Sequence, residues 1–361
     1  MVKSFYNMIP LSEPKITSTD IKYVTDQLKS NFFGPGKTNE KFEKKLAELS
    51  NRKYAITLSS GTVALTIGAL AIGLKKSDEI IIPCYGVFSV INAFAAIGLN
   101  IKLCDINPEN GSMDPSKLEK LISKKTKAVC FISFLGNIGK DLKRIETICK
   151  KNKILLIHDG AWCFGRKIKK RVGCSQGNIS ITSFSVPKII TTGQGGAIMT
   201  NSSKIRDKVK SLIDQGDINW RKKNNINSIG SNLRLSDLNA SFGLSQLSRI
   251  NLSHKIRRRN FELLNKLLSD KLIKTQDNDY SFQNVLLLKE KKKTIKFLKK
   301  KGILAINQYN LYSKLNFYKK KYKNLKFPGG KLWASRAVYL PFGITLNKNQ
   351  ITYIAKQINK I

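Results

Sequence analysis

Along the first two-thirds of the chain, short β-branched runs alternate with stretches whose apolar residues recur at helical spacing, the pattern of a sheet with crossover helices. Residues 54–58 read as a strand and 63–74 as an apolar helix. Residues 79–82 form a second strand, stopped by Pro83, and 101–105 a third, followed by the turn sequence Asn107-Pro108-Glu109-Asn110-Gly111. The continuous apolar runs 128–134 and 154–157 suit parallel strands buried on both faces, with a crossover helix over 141–151 between them. Residues 179–185 alternate, and 197–200 close the sheet region after a glycine pair. From about Leu235 the pattern turns helical: 236–247 with small residues, 255–268 basic and amphipathic, and 289–301 lysine-dense, with Ile295 and Leu298 carrying the periodicity. A strand at 337–340 and a helix at 347–358 follow. The predicted class is α/β, and the change of character near residue 250 marks a second domain.

Composition narrows this picture. The chain has 361 residues, 41% of them hydrophobic, which fits one large or two ordinary domains and excludes wholesale disorder. Lys and Arg number 65 against 24 Asp and Glu, a net charge of +41, which raises the question of nucleic acid or an anionic membrane. The lysines are spread over almost every polar stretch beside abundant Asn, so they read as a solvated surface, and nucleic acid is not the expected partner. Six scattered cysteines form no CxxC, and His158 and His254 lie far from metal-ligand spacing, so no metal is expected and a reducing compartment is. The stretch MVKSFYNMIPLSEPKI lacks the apolar core of a signal peptide, and no run is long enough to span a bilayer. The expected location is cytoplasmic, with no membrane partner.

Four constellations carry candidate chemistry. Ser59-Ser60-Gly61-Thr62 stands between a strand and an apolar helix, where free N–H groups suit a phosphate; an ordinary Ser/Thr cap is the alternative. His158-Asp159 ends a buried strand, so Asp159 points toward the ligand crevice of an α/β sheet as a metal ligand, a general base or the partner of a protonated ring nitrogen, unless it only caps a helix. His158 faces the other side, as a packed histidine. Ser183-Phe184-Ser185-Val186-Pro187-Lys188 precedes the turn Thr191-Thr192-Gly193-Gln194-Gly195-Gly196. A lysine held there in a semi-apolar cleft loses proton affinity and becomes a Schiff-base nucleophile; otherwise it is a surface loop residue. Gly230-Ser231-Asn232-Leu233-Arg234-Leu235-Ser236-Asp237 offers phosphate-binding polar groups or a plain capping box.

In order, spacing and residue type these pieces resemble the DegT–StrS family of pyridoxal-phosphate (PLP) aminotransferases. The resemblance starts at Ile9-Pro10-Leu11-Ser12-Glu13-Pro14 and Asn31-Phe32-Phe33-Gly34-Pro35-Gly36. It runs through Ser59–Leu65, Asp78-Glu79-Ile80-Ile81-Ile82-Pro83, His158-Asp159-Gly160-Ala161, the Ser183-to-Lys188 run with Gly195-Gly196, and Asn232 to Asp237, and it returns weakly at Leu340-Pro341. It implies a fold-type-I architecture: a large PLP-binding α/β domain over 1–250 with a mostly parallel sheet flanked by helices, and a smaller C-terminal α+β domain over 251–361. The N-terminal segment is a candidate to pack on the smaller domain. Lys188 matches the Schiff-base lysine that also shuttles the substrate proton, and Asp159 the carboxylate pairing with the pyridine N–H⁺. Ser60, Gly61, Thr62 and Ser183 match the phosphate cradle. Asn232 matches a residue that reaches the phosphate in the neighbouring subunit, which implies a homodimer with shared active sites.

Three positions depart from the family pattern. The family stacks an aromatic ring on the cofactor; strict spacing puts Val87 there, with Tyr85 and Phe88 nearby, and a local shift assigns the role to Phe88. Trp162 stands where the family has Gln or His, and it can stack or donate one hydrogen bond but cannot accept one. Gln194 replaces an acidic residue. The resemblance implies ping-pong transfer of an amino group from L-glutamate to a keto group of a nucleotide-diphosphate-linked deoxy sugar. The rival readings are a non-sugar ketone substrate, or a nucleic-acid-binding or regulatory protein on a degenerate PLP fold. Lys188 argues against the family's dehydratase branch, where His replaces it, and the Lys188–Asp159 pair argues against a degenerate site.

Overall fold

Two helices precede the first strand in the computed structural model, which describes residues 8–276 and 279–361. Residues 1–7, part of the stretch read above for a signal peptide, lie outside the described residues. Helix α1 (Ser18–Lys29) opens with a capping box between Thr17 and Asp20. Helix α2 (Lys37–Leu49) has no side-chain cap of its own. The carboxylate of Asp237 supplies it from a distant part of the chain, accepting from the backbone N–H of Gly36 and Asn39 at 2.8 Å and of Thr38 at 3.3 Å. A negative charge at that end satisfies orphan donors and the helix dipole together.

The central sheet has seven strands: β1 (Tyr54–Leu58), β2 (Glu79–Pro83), β3 (Asn100–Cys104), β4 (Thr126–Ile132), β5 (Leu155–Asp159), β6 (Ile179–Ser183) and β7 (Gly196–Thr200). Their spatial order is β1-β7-β6-β5-β4-β2-β3. Neighbours from β3 across to β6 are parallel, whereas β7 runs antiparallel to both β6 and β1. Every predicted strand of this region is present within two residues of its expected ends, and Pro83 closes β2 as its last residue. Side chains of the central strands are buried on both faces, which is why they read as unbroken apolar runs. Register places Ile132 of β4 opposite Asp159 of β5, and Asp159 opposite Ile181 of β6. The carboxyl ends of β4 and β5 therefore share one edge with β6, where α/β folds bind ligands. Helix α3 (Gly61–Ala71) packs over β6 and β7 with its N-terminus at that edge.

The helix Ile250–Leu267 begins five residues earlier than its pattern suggested. It starts a second hydrophobic cluster, with Phe261, Leu264, Leu298, Val338 and Ile354 among its buried members. The antiparallel pair Asn284–Leu287 and Ala337–Leu340 lies between the clusters. Ile9 packs on the second cluster and bridges to Ile303, its N–H bonded to Gly302 O at 2.8 Å. Phe282, Tyr309, Tyr339 and Phe342 come from this later part of the chain but belong to the main core. All six cysteines are free and buried. Among the described residues no helix is long and apolar enough to cross a membrane.

Candidate active site

The first wall of the site follows from how α3 begins. Ser60 is its N-cap, with an extended backbone and a hydroxyl that accepts from Val63 N at 3.1 Å. Gly61 and Thr62 occupy the first turn, where backbone N–H groups have no intrahelical acceptor and the dipole favours an anion. The structure shows the cap, and a phosphate site is compatible with it because the cap fixes the turn that presents the donors. The space is tight. A Cβ on Gly61 would stand 2.7 Å from Ser183 Cβ, and one on Gly196 would stand 2.6 Å from the Ser60 carbonyl carbon. Gly61→Ala is therefore expected to weaken PLP binding by about 10- to 100-fold, since the cradle must spread; equilibrium titration of cofactor-free protein measures it.

The second wall comes from the sheet edge. Asp159, the last residue of β5, is 6% exposed; its Oδ1 accepts from Ala161 N at 3.1 Å, and no described donor meets Oδ2. Burial raises its pKa above the ordinary carboxylate value, opposed by the Ala161 N–H, Lys188 and His158. His158 points to the opposite side of the strand, fully buried, with Nε2 2.7 Å from Ser133 Oγ, and it takes no part in the cavity.

Lys188 is set by a loop that folds back on itself. Thr192 N and Thr191 Oγ1 both donate to the carbonyl of Phe184 at 3.0 Å, and Lys188 N donates to Ser185 O at 3.0 Å. The ammonium stands 5.3 Å from the centre of the Trp162 ring. Burial lowers its pKa to about 8, with Asp159 opposing the shift. Trp162 is held by an aromatic box of Phe134, Phe282 and Tyr309.

Ser60, Gly61, Thr62, Asp159, Trp162, Ser183 and Lys188 line one cavity, together with Gln194 and with Val87, Ser89 and Ser185. It encloses about 160 Å³, below the range for a drug-sized ligand, so it admits one ring-sized group and leaves anything larger at its mouth. Phe88, expected to stack on the cofactor, is absent from this lining. Val87 has an extended backbone and caps the helix Phe88–Ala95 while facing the cavity, whereas Phe88 starts the helix and is 41% exposed. Tyr85 is buried behind, its hydroxyl 3.0 Å from that of Tyr339. Asn232 is absent from the lining; its Oδ1 accepts from Arg234 Nε at 3.1 Å. Ser89 and Ser185 were not singled out in the sequence, and Ser185 stood in the Lys188 motif as a readable signal. Among the described residues no group of three or more His, Cys, Asp or Glu side chains could hold a metal.

The donor set fits pyridoxal phosphate: free N–H groups and hydroxyls for an anion, a buried carboxylate oxygen without a donor for a ring N–H⁺, and a desolvated amine between them. Comparison with known proteins agrees. At 30% identity the chain is similar to a GDP-perosamine synthase of Escherichia coli O157:H7, covering 98% of both chains. At 33% it is similar to a UDP-4-amino-4,6-dideoxy-N-acetyl-beta-L-altrosamine transaminase of Campylobacter jejuni, covering 70% of this chain and 67% of that one. Its fold matches Helicobacter pylori PseC, an aminotransferase involved in the biosynthesis of pseudoaminic acid, with a TM-score of 0.90, 24% identity and 98% coverage of both chains. Residues 14–359 match the profile of the DegT/DnrJ/EryC1/StrS aminotransferase family. The chain belongs to that family, and is a PLP-dependent aminotransferase of fold type I.

Proposed function

We propose that this enzyme transfers an amino group from L-glutamate to a keto group of a nucleotide-diphosphate-linked deoxy sugar, by ping-pong chemistry through Lys188. The observation that carries the reading is the meeting of Lys188 and Asp159 in one cavity whose other end is the α3 N-terminus. Bound PLP supplies an electron sink for negative charge at the reacting carbon. Ser60, Gly61, Thr62 and Ser183 hold its phosphate, Asp159 keeps a proton on the ring nitrogen, and Val87 covers the ring. Lys188, with its pKa drawn toward neutrality, takes and returns the proton at the substrate carbon in both half-reactions.

The sugar nucleotide is assigned from the relatives, whose names include a GDP-perosamine synthase and UDP- and dTDP-linked amino sugar transaminases. The cavity's small volume supports a nucleotide bound at its mouth. Phe88 and Val186, each next to a cavity-lining residue in sequence, are 41% and 46% exposed, apolar surface that a second copy would cover. Asn232 then serves the partner's cofactor in a homodimer.

L-Glutamate alone is expected to bleach the lysine-linked cofactor absorbance and release one 2-oxoglutarate per site. A keto sugar nucleotide added afterwards restores the spectrum and gains the amine. If only simple ketones restore it, the sugar assignment falls; if glutamate leaves the spectrum unchanged, the donor assignment falls.

A further inference from the structure

A buried guanidinium ordinarily has a carboxylate or several acceptors around it. Arg257, on the helix Ile250–Leu267, is 6% exposed, and its Nε and Nη1 have no hydrogen-bond partner. Among the described residues no carboxylate pairs with it. Its hydrogen bond goes from Nη2 to the backbone carbonyl of Lys188, at 3.3 Å. The guanidinium carbon lies 4.8 Å from the ring centre of Phe282 and 6.0 Å from that of Phe342. Burial draws its pKa down to about 10, so it stays charged at neutral pH. Phe282 stacks on Trp162, with ring centres 6.2 Å apart and planes 15° from parallel, and Trp162 carries the Lys188 ammonium at 5.3 Å. One cation thus reaches Lys188 by two routes, at the main-chain carbonyl and through two rings at the ammonium end.

We propose that Arg257 is a positioning residue for Lys188: it clamps the lysine's carbonyl and, through the Phe282–Trp162 stack, sets where Nζ stands in the cavity. The proposal rests on the reading of Lys188 as the amine that holds the cofactor and moves the proton. A flat guanidinium can bond the carbonyl while lying on Phe282, which an ammonium cannot do. Because Lys188 serves both half-reactions, its misplacement slows both alike without changing substrate affinity.

The test uses the holoenzyme and three variants. Arg257→Met keeps the length and the contact with Phe282 but removes charge and donor. Arg257→Lys keeps the charge and loses the fork. Phe261→Leu, one turn along the same helix and in the second core, reports lost packing alone. Arg257→Met is expected to lower kcat of both half-reactions by the same factor, about 10- to 100-fold, with each KM within about twofold. Its visible circular dichroism per bound cofactor falls to about half or less, because the lysine-linked ring loses its fixed orientation. Arg257→Lys gives the same pattern about threefold weaker, and carries the test if the Met variant does not fold. Phe261→Leu lowers Tm and leaves kinetics and dichroism alone. Wild-type dichroism and kcat in both Arg257 variants would overturn the proposal, leaving Arg257 as packing. A rise in the amino-donor KM alone also overturns it, making the guanidinium a carboxylate ligand. Lys188→Ala is measured beside them: if it keeps the dichroic band, the reading of Lys188 fails instead.

Discussion

Replacing Lys188 with alanine is expected to remove the visible absorbance of lysine-linked cofactor and to lower kcat by about 10⁴-fold or more. Two losses combine in that figure: the covalent anchor, and the base that moves the substrate proton. The protein prepares this amine by desolvation, which holds its pKa near 8 instead of the ordinary 10.5. The direction matters for kinetics. Only the unprotonated amine attacks the cofactor's aldehyde, and below pH 8 its fraction falls tenfold per unit. In cofactor-free protein the rate of covalent capture should therefore rise about tenfold per pH unit up to about pH 8 and then level off. A solvent-exposed lysine would keep accelerating toward pH 10. Stopped-flow absorbance across this range measures the profile, and borohydride reduction followed by peptide mapping locates the linked residue. A variant that keeps the band, or a profile still climbing at pH 10, removes Lys188 from the centre of the chemistry. Stability should not suffer, because alanine deletes a buried amine whose charged form is penalised where it stands.

The sheet was legible because its physics is local. Strands buried on both faces are mostly apolar, as 128–132 and 154–157 show directly, although β6 also buries Ser180 and Thr182. Helices α1 and α2 are a different matter. In α1 the buried positions are the polar Asp20 and Gln27 while Ile21, Tyr23 and Leu28 are exposed, and the Asp237 carboxylate that caps α2 comes from a distant part of the chain. No window of sequence contains both partners. The site divides the same way. Ser60, Asp159, Ser183 and Lys188, which line one cavity, stood out in the sequence since each lies at a strand end or in the segment just after one, and the sheet brings such ends to one edge. Choosing between Val87 and Phe88 was not, because it depends on where the helix Phe88–Ala95 starts, and a one-residue change there turns the side chain from cavity to solvent. Arg257 had no signal at all. It is one of 65 basic residues, and only the folded chain shows that it is buried against the Lys188 carbonyl.

Asp159→Asn tests the opposite end of the cofactor, and its effect should differ in kind from that of Lys188→Ala. Asparagine matches the aspartate in shape and can still meet the Ala161 N–H through its oxygen, so the cavity is preserved. What is lost is the negative charge that keeps a proton on the ring nitrogen. Without it the ring withdraws electrons less strongly when charge develops at the substrate carbon. The expected result is a fall in kcat of about 10²- to 10⁴-fold, or about 3–5 kcal/mol of barrier, with the visible band retained because Lys188 is untouched. The apoprotein should be no less stable than wild type, since burial already disfavours the Asp159 carboxylate and the neutral amide escapes that cost. A cofactor analogue methylated on the ring nitrogen separates electronics from packing. Its fixed positive charge needs no carboxylate to hold a proton, so it should recover part of the lost rate in the asparagine variant and gain nothing in wild type. A variant with near-normal kcat, or one whose defect the analogue leaves unchanged, would mean that Asp159 shapes the pocket without setting the electronic state of the ring.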